Sequence, residues 1–333
     1  MNKILIFCVI CIFLGCSKEQ GNLVNDNFRV EHEGASLPIY VRGNISESTF
    51  IIMVHGAGGF GLAYRNEVFI NDLESKYGVV YFDQRGQSMS EQGDGEVDDI
   101  IETMIDDIEA IYQVLKYEYG DDIKIFLAGH SWGGLQSGLA VVRDNIDLRG
   151  WINIAGVLDL PSISDDRIDL MLKIAEEQIP VSSFSGEWTS LVDQLEESLD
   201  YDEVLKLLSD YLSLVHKDNL VEKGFTSKTI YNGLVVNNPI HWYVNYFFNQ
   251  PINEALEQGT TIVGNVDKIK LPVLFLYGKY DGSAPPENGK RIFDAIDSSE
   301  KEFVFFDKSE HYPYEREQAK FGEVVVDFIE RYK

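Results

Sequence analysis

The chain has 333 residues, 44% hydrophobic and 25% charged, a composition that argues against a disordered polymer and supplies apolar side chains for one large core or for a core plus an inserted subdomain. Fifty-five acidic against 28 basic residues give a formal charge of -27. Nucleic acid and anionic lipid surfaces are therefore repelled as partners, and the acidity serves solubility or, as the lesser alternative, draws in cationic substrates.

In chain order, the first element is MNKILIFCVICIFLGCSK. Lys3 gives a positive start, and Ile4 to Leu14 form an apolar run too short to span a bilayer but suited to an export signal. Gly15-Cys16 closes the run and resembles the lipobox of bacterial lipoproteins, with Phe13 standing where an aliphatic residue is usual. That resemblance implies a signal peptide over residues 1–16 and an exported chain held to the membrane only through lipidated Cys16. Ser17 in place of aspartate implies sorting to the outer membrane, on the periplasmic side. All three cysteines lie in this stretch, so the rest of the chain can build neither a disulfide framework nor a thiolate metal site. Residues 17–27, polar and turn-rich, read as a tether.

Short β-type runs then alternate with helical patterns. LPIYVRG, TFIIMVHG, GVVYFDQRG, IKIFLAGHS, LRGWINIAG, PVLFLYGKYDG and EFVFFDKSEH each carry a β-branched or aromatic centre and end in glycine or polar residues. VDDIIETMIDDIEAIYQVLKYEYG, NGKRIFDAI and FGEVVVDFIERY place apolar residues at helical spacing. The alternation predicts an α/β fold, a mostly parallel central sheet with helices on both faces. Residues 157–261 break it with helical patterns alone, among them DLMLKIAEEQ, TSLVDQLEESL, YDEVLKLLSDYLSLVHK and NPIHWYVNYFFNQ. The expected organisation is a core over 28–156 and 262–333 with a helical cap inserted over 157–261, above the crevice where such sheets bind ligands.

Within FLAGHSWGGL, Gly129-His130-Ser131-Trp132-Gly133 form G-x-S-x-G between a predicted strand and a predicted helix. That context makes Ser131 a candidate nucleophile on a tight strand-to-helix turn, with flanking glycines because a side chain there would collide with neighbouring backbone. The N–H of Trp132 and the positive end of the helix would face an oxygen gaining negative charge.

Serine needs a base, and the base needs an orienting acid. Of the six histidines, His32 falls ahead of the expected sheet, His55 shapes a glycine-rich loop, His130 points elsewhere in the serine turn, and His216 and His241 lie in the insertion. His311, past the last predicted strand, is the candidate base. The serine-acid-histidine chain order expected of this topology puts the acid between them. Asp281 ends a strand beside Gly278 and Gly282 and is the first choice; Asp159, after the preceding strand, competes with it. Asp267, Asp294 and Asp307 read as surface charge. The loop HGAGG supplies the second oxyanion donor, the N–H of Ala57, beside that of Trp132. It lacks the lysine and hydroxyl of a phosphate-cradling loop.

Together HGAGG, DQRG at Asp83 to Gly86, GHSWGG, YGKYD and SEHYPYEREQAKF resemble the α/β-hydrolase fold, and DQRG with GHSWGG is most similar to its prolyl iminopeptidase-like branch. The likeness runs from about Phe28 to Lys333 apart from the insertion, which corresponds to the branch's cap. It implies Ser131 as nucleophile, Asp281 as acid, His311 as base, Ala57 and Trp132 as oxyanion donors, and Arg85 as a buried brace under the site. No metal or organic cofactor is implied.

The branch's HGGPG is HGAGG here, Ser88 replaces a glycine, and the place of its amine-binding glutamate holds Tyr243. Glu187, Glu196 or Glu197 could substitute for that glutamate. The expected activity is a serine hydrolase acting on a small-molecule or short-peptide amide, or on an ester, through an acyl-enzyme, including N-terminal proline-type aminopeptidase action. A carboxylesterase and a catalytically silent binding lipoprotein are the alternatives. Trp188, Trp242, Tyr243, Tyr246, Phe247 and Phe248 read mainly as cap core.

Overall fold

The computed structural model describes residues 22–91, 99–223 and 251–333. Eight strands make one sheet: β1 (Leu23–His32), β2 (Ala35–Asn44), β3 (Thr49–Val54), β4 (Gly78–Phe82), β5 (Lys124–His130), β6 (Gly150–Ile154), β7 (Val273–Gly278) and β8 (Lys301–Phe306). Their order is β1-β2-β4-β3-β5-β6-β7-β8. The β1-β2 and β2-β4 pairs are antiparallel and all later pairs are parallel. The expected mostly parallel α/β sheet is thus the observed one.

Helices α1 (Val68–Lys76), α2 (Ile100–Tyr119), α3 (Trp132–Arg143), α4 (Ile163–Gln178), α5 (Ser185–Leu195), α6 (Tyr201–Lys217), α7 (Pro286–Ala295) and α8 (Gln318–Tyr332) are the main helices of the described residues, beside a helical stretch over 251–258 and a single helical turn at Pro313–Arg316. Strands β3, β4, β6 and β7 are buried at every position, which explains why their sequences are continuous apolar runs rather than alternating ones. Successive side chains leave opposite faces of the sheet. Ile52 and Val54 join one core with Ile101, Ile105, Ile108 and Leu135 from α2 and α3. Ile51 and Met53 join another with Phe69, Leu73, Phe321 and Phe328 from α1 and α8. Each large aliphatic side chain so buried contributes about 1.5–3 kcal/mol.

Helix α2 shows how sequence sets an element's limits. Asp99 caps it by accepting the N–H groups of Ile101 and Glu102, and Gly120, at φ 105°, ends it in a conformation disfavoured for other residues. Ile101, Met104, Ile105, Ile108, Ile111, Tyr112 and Leu115 line its buried face.

Two elements depart from the expected boundaries. Leu23 already pairs with Asn44, and β1 continues to His32 opposite Ala35, so residues 23–27 belong to the sheet rather than to a tether and His32 does not precede it. Asn25, Asp26, Asn27, Arg29 and Glu31 are exposed on this edge strand, where polar and charged side chains discourage further strand pairing. Helix α1, the other addition, is short and carries no side-chain cap.

The inserted segment leaves and rejoins the core through one neck. Asp159 bridges Thr261 antiparallel, Leu160 N–H donates to Thr260 O and Ile262 N–H donates to Leu158 O, each at 3.2 Å. Helices α4, α5 and α6 follow the helical patterns of the sequence and build their own cluster around Met171, Trp188, Val204 and Tyr211, which Tyr280 of the core also enters. A capping box of Asp200 and Glu203 starts α6. His241 and the aromatic run Trp242 to Phe248, Tyr243 included, lie outside the described residues.

Candidate active site

Strand β5 runs straight into α3, and Ser131 is the hinge between them. Its backbone sits at φ 56° and ψ -118°, a conformation side-chain-bearing residues rarely adopt and hold only when their surroundings force it. The surroundings are glycines. A Cβ on Gly129 would lie 2.2 Å from Gly133 O and from Ser137 Oγ, and one on Gly133 would lie 2.3 Å from Val54 O. No other residue type fits either position, so the strand, the helix and β3 close up around the serine.

The candidate acid and base arrive from the loops that follow β7 and β8, on the far side of β6. His311 Nδ1 lies 2.9 Å from Asp281 Oδ2 and 3.1 Å from Oδ1, while its Nε2 lies 2.8 Å from Ser131 Oγ. With a carboxylate as partner, Nδ1–H is the donor, which leaves the Nε2 lone pair to accept the Ser131 hydroxyl proton. Asp281 is fully buried. Its Oδ1 also accepts the N–H groups of Ser283 and Ala284, both at 2.9 Å, so its charge is met by hydrogen bonds on every side.

The loops carrying Asp281 and His311 are stitched together. Tyr280 N–H donates to Ser309 O at 3.0 Å, and a Cβ on Gly278 would lie 2.1 Å from Glu310 O. Glu317 holds the base loop from below by accepting Lys308 N–H and Ser309 Oγ–H. From above, α6 closes on the acid loop, since a Cβ on Gly282 would meet Leu208 Cδ1 at 2.5 Å, and Tyr211 Oη donates to Tyr280 O.

Beside the serine, the HGAGG loop is fixed by the segment after β4. His55 Nδ1–H donates to Gly56 O at 2.9 Å, its Nε2 accepts Gln84 N–H, and Gln84 Nε2 donates to His55 O at 2.6 Å. Asp83 Oδ1 accepts Gly61 N–H at 2.8 Å and its Oδ2 accepts Met89 N–H. Arg85 is buried and forks onto Asp107, Nε to Oδ2 at 3.0 Å and Nη2 to Oδ1 at 2.6 Å, while also donating to the carbonyls of His32 and Glu33. DQRG is thus a brace joining the loop, α2 and the β1-β2 hairpin, with Arg85 at its centre. Ser88 occupies φ 51°, a left-handed conformation that accounts for glycine in the related pattern.

Gly56 brings the loop against the nucleophile turn; a Cβ there would lie 3.3 Å from Ser131 Cβ. Ala57 follows at the exposed tip. Trp132 is the first residue of α3, where the N–H has no intrahelical carbonyl to meet.

Burial holds His55 below its ordinary pKa, against the opposing pull of Gly56 O and Asp83, so it stays neutral near pH 7. The unfolded chain binds a proton below the ordinary value of 6.5 that the folded chain refuses. Stability from this group is therefore complete above about pH 6.5 and is lost as pH falls, by up to about 1.4 kcal/mol per pH unit. Urea unfolding is expected to give nearly equal stability at pH 7.5 and 6.5 and a fall at pH 5.5, and His55→Gln is expected to reduce that fall; an unchanged fall in the variant would mean that His55 takes up its proton as readily in the fold as in the unfolded chain.

Other sequence candidates lie elsewhere. Asp159 accepts from Ser162 at 2.8 Å and pairs with Arg291 at 3.3 Å, in a cluster with Asp166 and Asn288. His32 pairs with Asp107 at 2.7 Å. His216 lies 3.9 Å from Glu310. Glu187 pairs with Lys217 at 2.5 Å, and Glu196 and Glu197 are exposed.

Two contributors escaped the sequence reading. His130 does not point away: its Nε2–H donates to His311 O at 3.1 Å, with the two rings 4.9 Å apart. Glu310, buried beside the base, accepts from Arg316 Nε and Nη2 at 3.0 and 2.6 Å. Its burial opposes ionisation, yet Arg316 and nearby backbone groups outweigh that and hold the carboxyl below its usual range. An acidic residue before a histidine and a basic one six positions on were the available signal.

A mostly parallel sheet with a serine at its strand-to-helix elbow and an inserted cap makes this chain an α/β-hydrolase enzyme. More narrowly, the chain belongs to the family described as Serine aminopeptidase, S33 (Hydrolase_4), whose model matches residues 46–317.

Among its relatives, the probable aminopeptidase YbaC of Bacillus subtilis (strain 168) is 23% identical over 296 residues, covering 86% of this chain and 91% of that protein. A proline iminopeptidase of Saccharolobus solfataricus is 24% identical over 294 residues, covering 84% of each. In three dimensions the chain is similar to the proline iminopeptidase of Mycobacterium smegmatis, with TM-score 0.63, 17% identity and coverage of 92% and 98%. It is also similar to an esterase of Exiguobacterium antarcticum, with TM-score 0.58, 15% identity and coverage of 92% and 100%.

Proposed function

We propose that Ser131, His311 and Asp281 are the catalytic relay of a serine hydrolase that cleaves a small amide, peptide or ester bond through an acyl-enzyme. The observation carrying this reading is the continuous run of hydrogen bonds from Asp281 through His311 to Ser131 Oγ. Ser131 Oγ attacks the scissile carbonyl as His311 Nε2 takes its proton, and Asp281 stabilises the imidazolium that results. The N–H groups of Ala57 and Trp132, with the N-terminus of α3 behind them, receive the negative oxygen. His311 then returns the proton to the leaving atom, and water attacks the acyl-enzyme by the same route in reverse. His130 acts through His311, holding the backbone of the base in place.

N-terminal aminopeptidase action, of the proline type implied by the branch resemblance, is the favoured substrate reading. It is supported by the family and by the names of both relatives. An esterase is the second reading, favoured by the cap carboxylates: Glu187 is engaged with Lys217, Glu196 and Glu197 face solvent, and none of the three is bonded to the relay. Proline and alanine arylamides compared with their N-acetylated forms separate the two. An aminopeptidase cleaves only the free-amine forms at an appreciable rate; equal cleavage of blocked and free forms rejects an amine-reading site.

We also propose that the protein is an exported lipoprotein held at the periplasmic side of the outer membrane through Cys16, on the strength of the apolar run and Gly15-Cys16. In cells, Cys16→Ser is expected to abolish metabolic labelling with a palmitate analogue and to move the chain out of the membrane fraction. Labelling that survives the substitution would reject the anchor.

A further inference from the structure

Beyond the relay, a cavity of about 230 Å³ opens between the HGAGG loop and the segment that follows His311. Ala57, Ala63, Tyr64, His130, Tyr312 and Tyr314 are among the residues lining it. Its position relative to the base is defined by three contacts. His130 is bonded to the His311 carbonyl, the Tyr312 ring lies 5.2 Å from that of His311, and Gly56, another wall residue, adjoins Ser131.

We propose that this cavity receives the leaving group of the substrate, and that the group it accepts is uncharged and about the size of one ring. The inference rests on the serine-hydrolase reading above and extends it to substrate class.

Geometry gives the side. His311 Nε2 must hand its proton to the leaving atom, so whatever is attached to that atom leaves beside the base, and the cavity wall adjoins the base's loop through His130 and Tyr312 and the Ser131 turn through Gly56. Charge gives the chemistry. No lysine, arginine, aspartate or glutamate among the described residues lines the cavity, and His55 in its wall stays neutral. A carboxylate entering it would lose water without gaining a counter-ion, in a chain whose formal charge is already -27. Size gives the limit, because a cavity of about 150 Å³ already holds benzene. The preferred substrates are therefore amides or esters with a neutral aromatic or branched leaving group. Dipeptides, whose leaving amino acid carries its carboxylate beside the scissile nitrogen, are disfavoured.

The test measures kcat/KM for methyl, 4-methylphenyl and 4-carboxyphenyl acetate and for methyl butyrate, or, where only free-amine substrates are cleaved, for the corresponding 2-amino esters (glycine in place of acetate, 2-aminobutyrate in place of butyrate), each divided by its hydroxide-catalysed rate. The native enzyme is expected to favour 4-methylphenyl over 4-carboxyphenyl acetate by about tenfold or more. Ala63→Leu, which fills the cavity with three further carbons, is expected to lower the 4-methylphenyl to methyl ratio about tenfold while the butyrate to acetate ratio stays put. Equal use of the two aryl esters by the native enzyme overturns the proposal, and that comparison needs no variant. A change in the butyrate to acetate ratio without one in the aryl ratio also overturns it, by assigning the cavity to the acyl side. Hydrolysis that persists undiminished in Ser131→Ala is a separate outcome, since it rejects the serine-hydrolase reading itself and the proposal falls with it.

Discussion

Replacing Ser131 with alanine is expected to lower kcat by about a millionfold, the scale on which loss of a nucleophile removes an entire pathway rather than one contact. His311 Nε2 then has no hydroxyl to deprotonate, and only the oxyanion donors and substrate positioning remain, which alone give about a thousand- to ten-thousandfold over water. Folding should survive, because Gly129 and Gly133 rather than the serine side chain set the turn. Steady-state turnover of any cleaved arylamide or ester, alongside the thermal midpoint, checks both halves. A loss below a hundredfold at unchanged stability would assign the attack to another group.

Asp281→Asn is the second large effect, at about ten-thousandfold in kcat, and it follows from which atoms donate. Oδ1 must keep accepting from Ser283 and Ala284, so the amide NH2 of asparagine would take the place of Oδ2, facing His311 Nδ1. Two donors cannot meet. The ring must therefore carry its proton on Nε2, pointing at Ser131 Oγ, where it can no longer act as base. Substrate KM should change little, since Asp281 is buried away from any bound molecule. A mild effect would remove Asp281 from the relay; Asp159, engaged with Arg291 and Ser162, would then need its own substitution tested.

The parts of this molecule that were legible in the sequence are those where one local rule dominates. Strands buried on both faces, such as FIIMV and VLFLYG, leave continuous apolar runs that few other structures explain. G-x-S-x-G between strand and helix is legible because the close approach of Gly129 and Gly133 to neighbouring backbone leaves no alternative residue. That Asp281 and His311 would meet Ser131 was readable from chain order once the serine was placed.

Elements that depend on partners distant in sequence were not readable. The β1 strand, LVNDNFRVEH, is polar because it forms an edge, and its pairing with β2 is visible only in three dimensions. Helix α1 buries just Phe69, Ile70 and Leu73, too few for a periodic signal. The bond from His130 to the His311 carbonyl spans 181 positions, and no local pattern could announce it. Nor could one announce the cavity, whose tyrosines come from two segments far apart in the chain.

The central claim is that Ser131 Oγ is made nucleophilic by His311 and Asp281, and a covalent probe tests it most directly. Protein lacking residues 1–16, incubated with a fluorophosphonate and digested for mass spectrometry, is expected to carry one adduct, on the peptide containing Ser131, with labelling strongly slowed in Asp281→Asn. An unmodified Ser131, or an adduct that forms equally fast without Asp281, would contradict it.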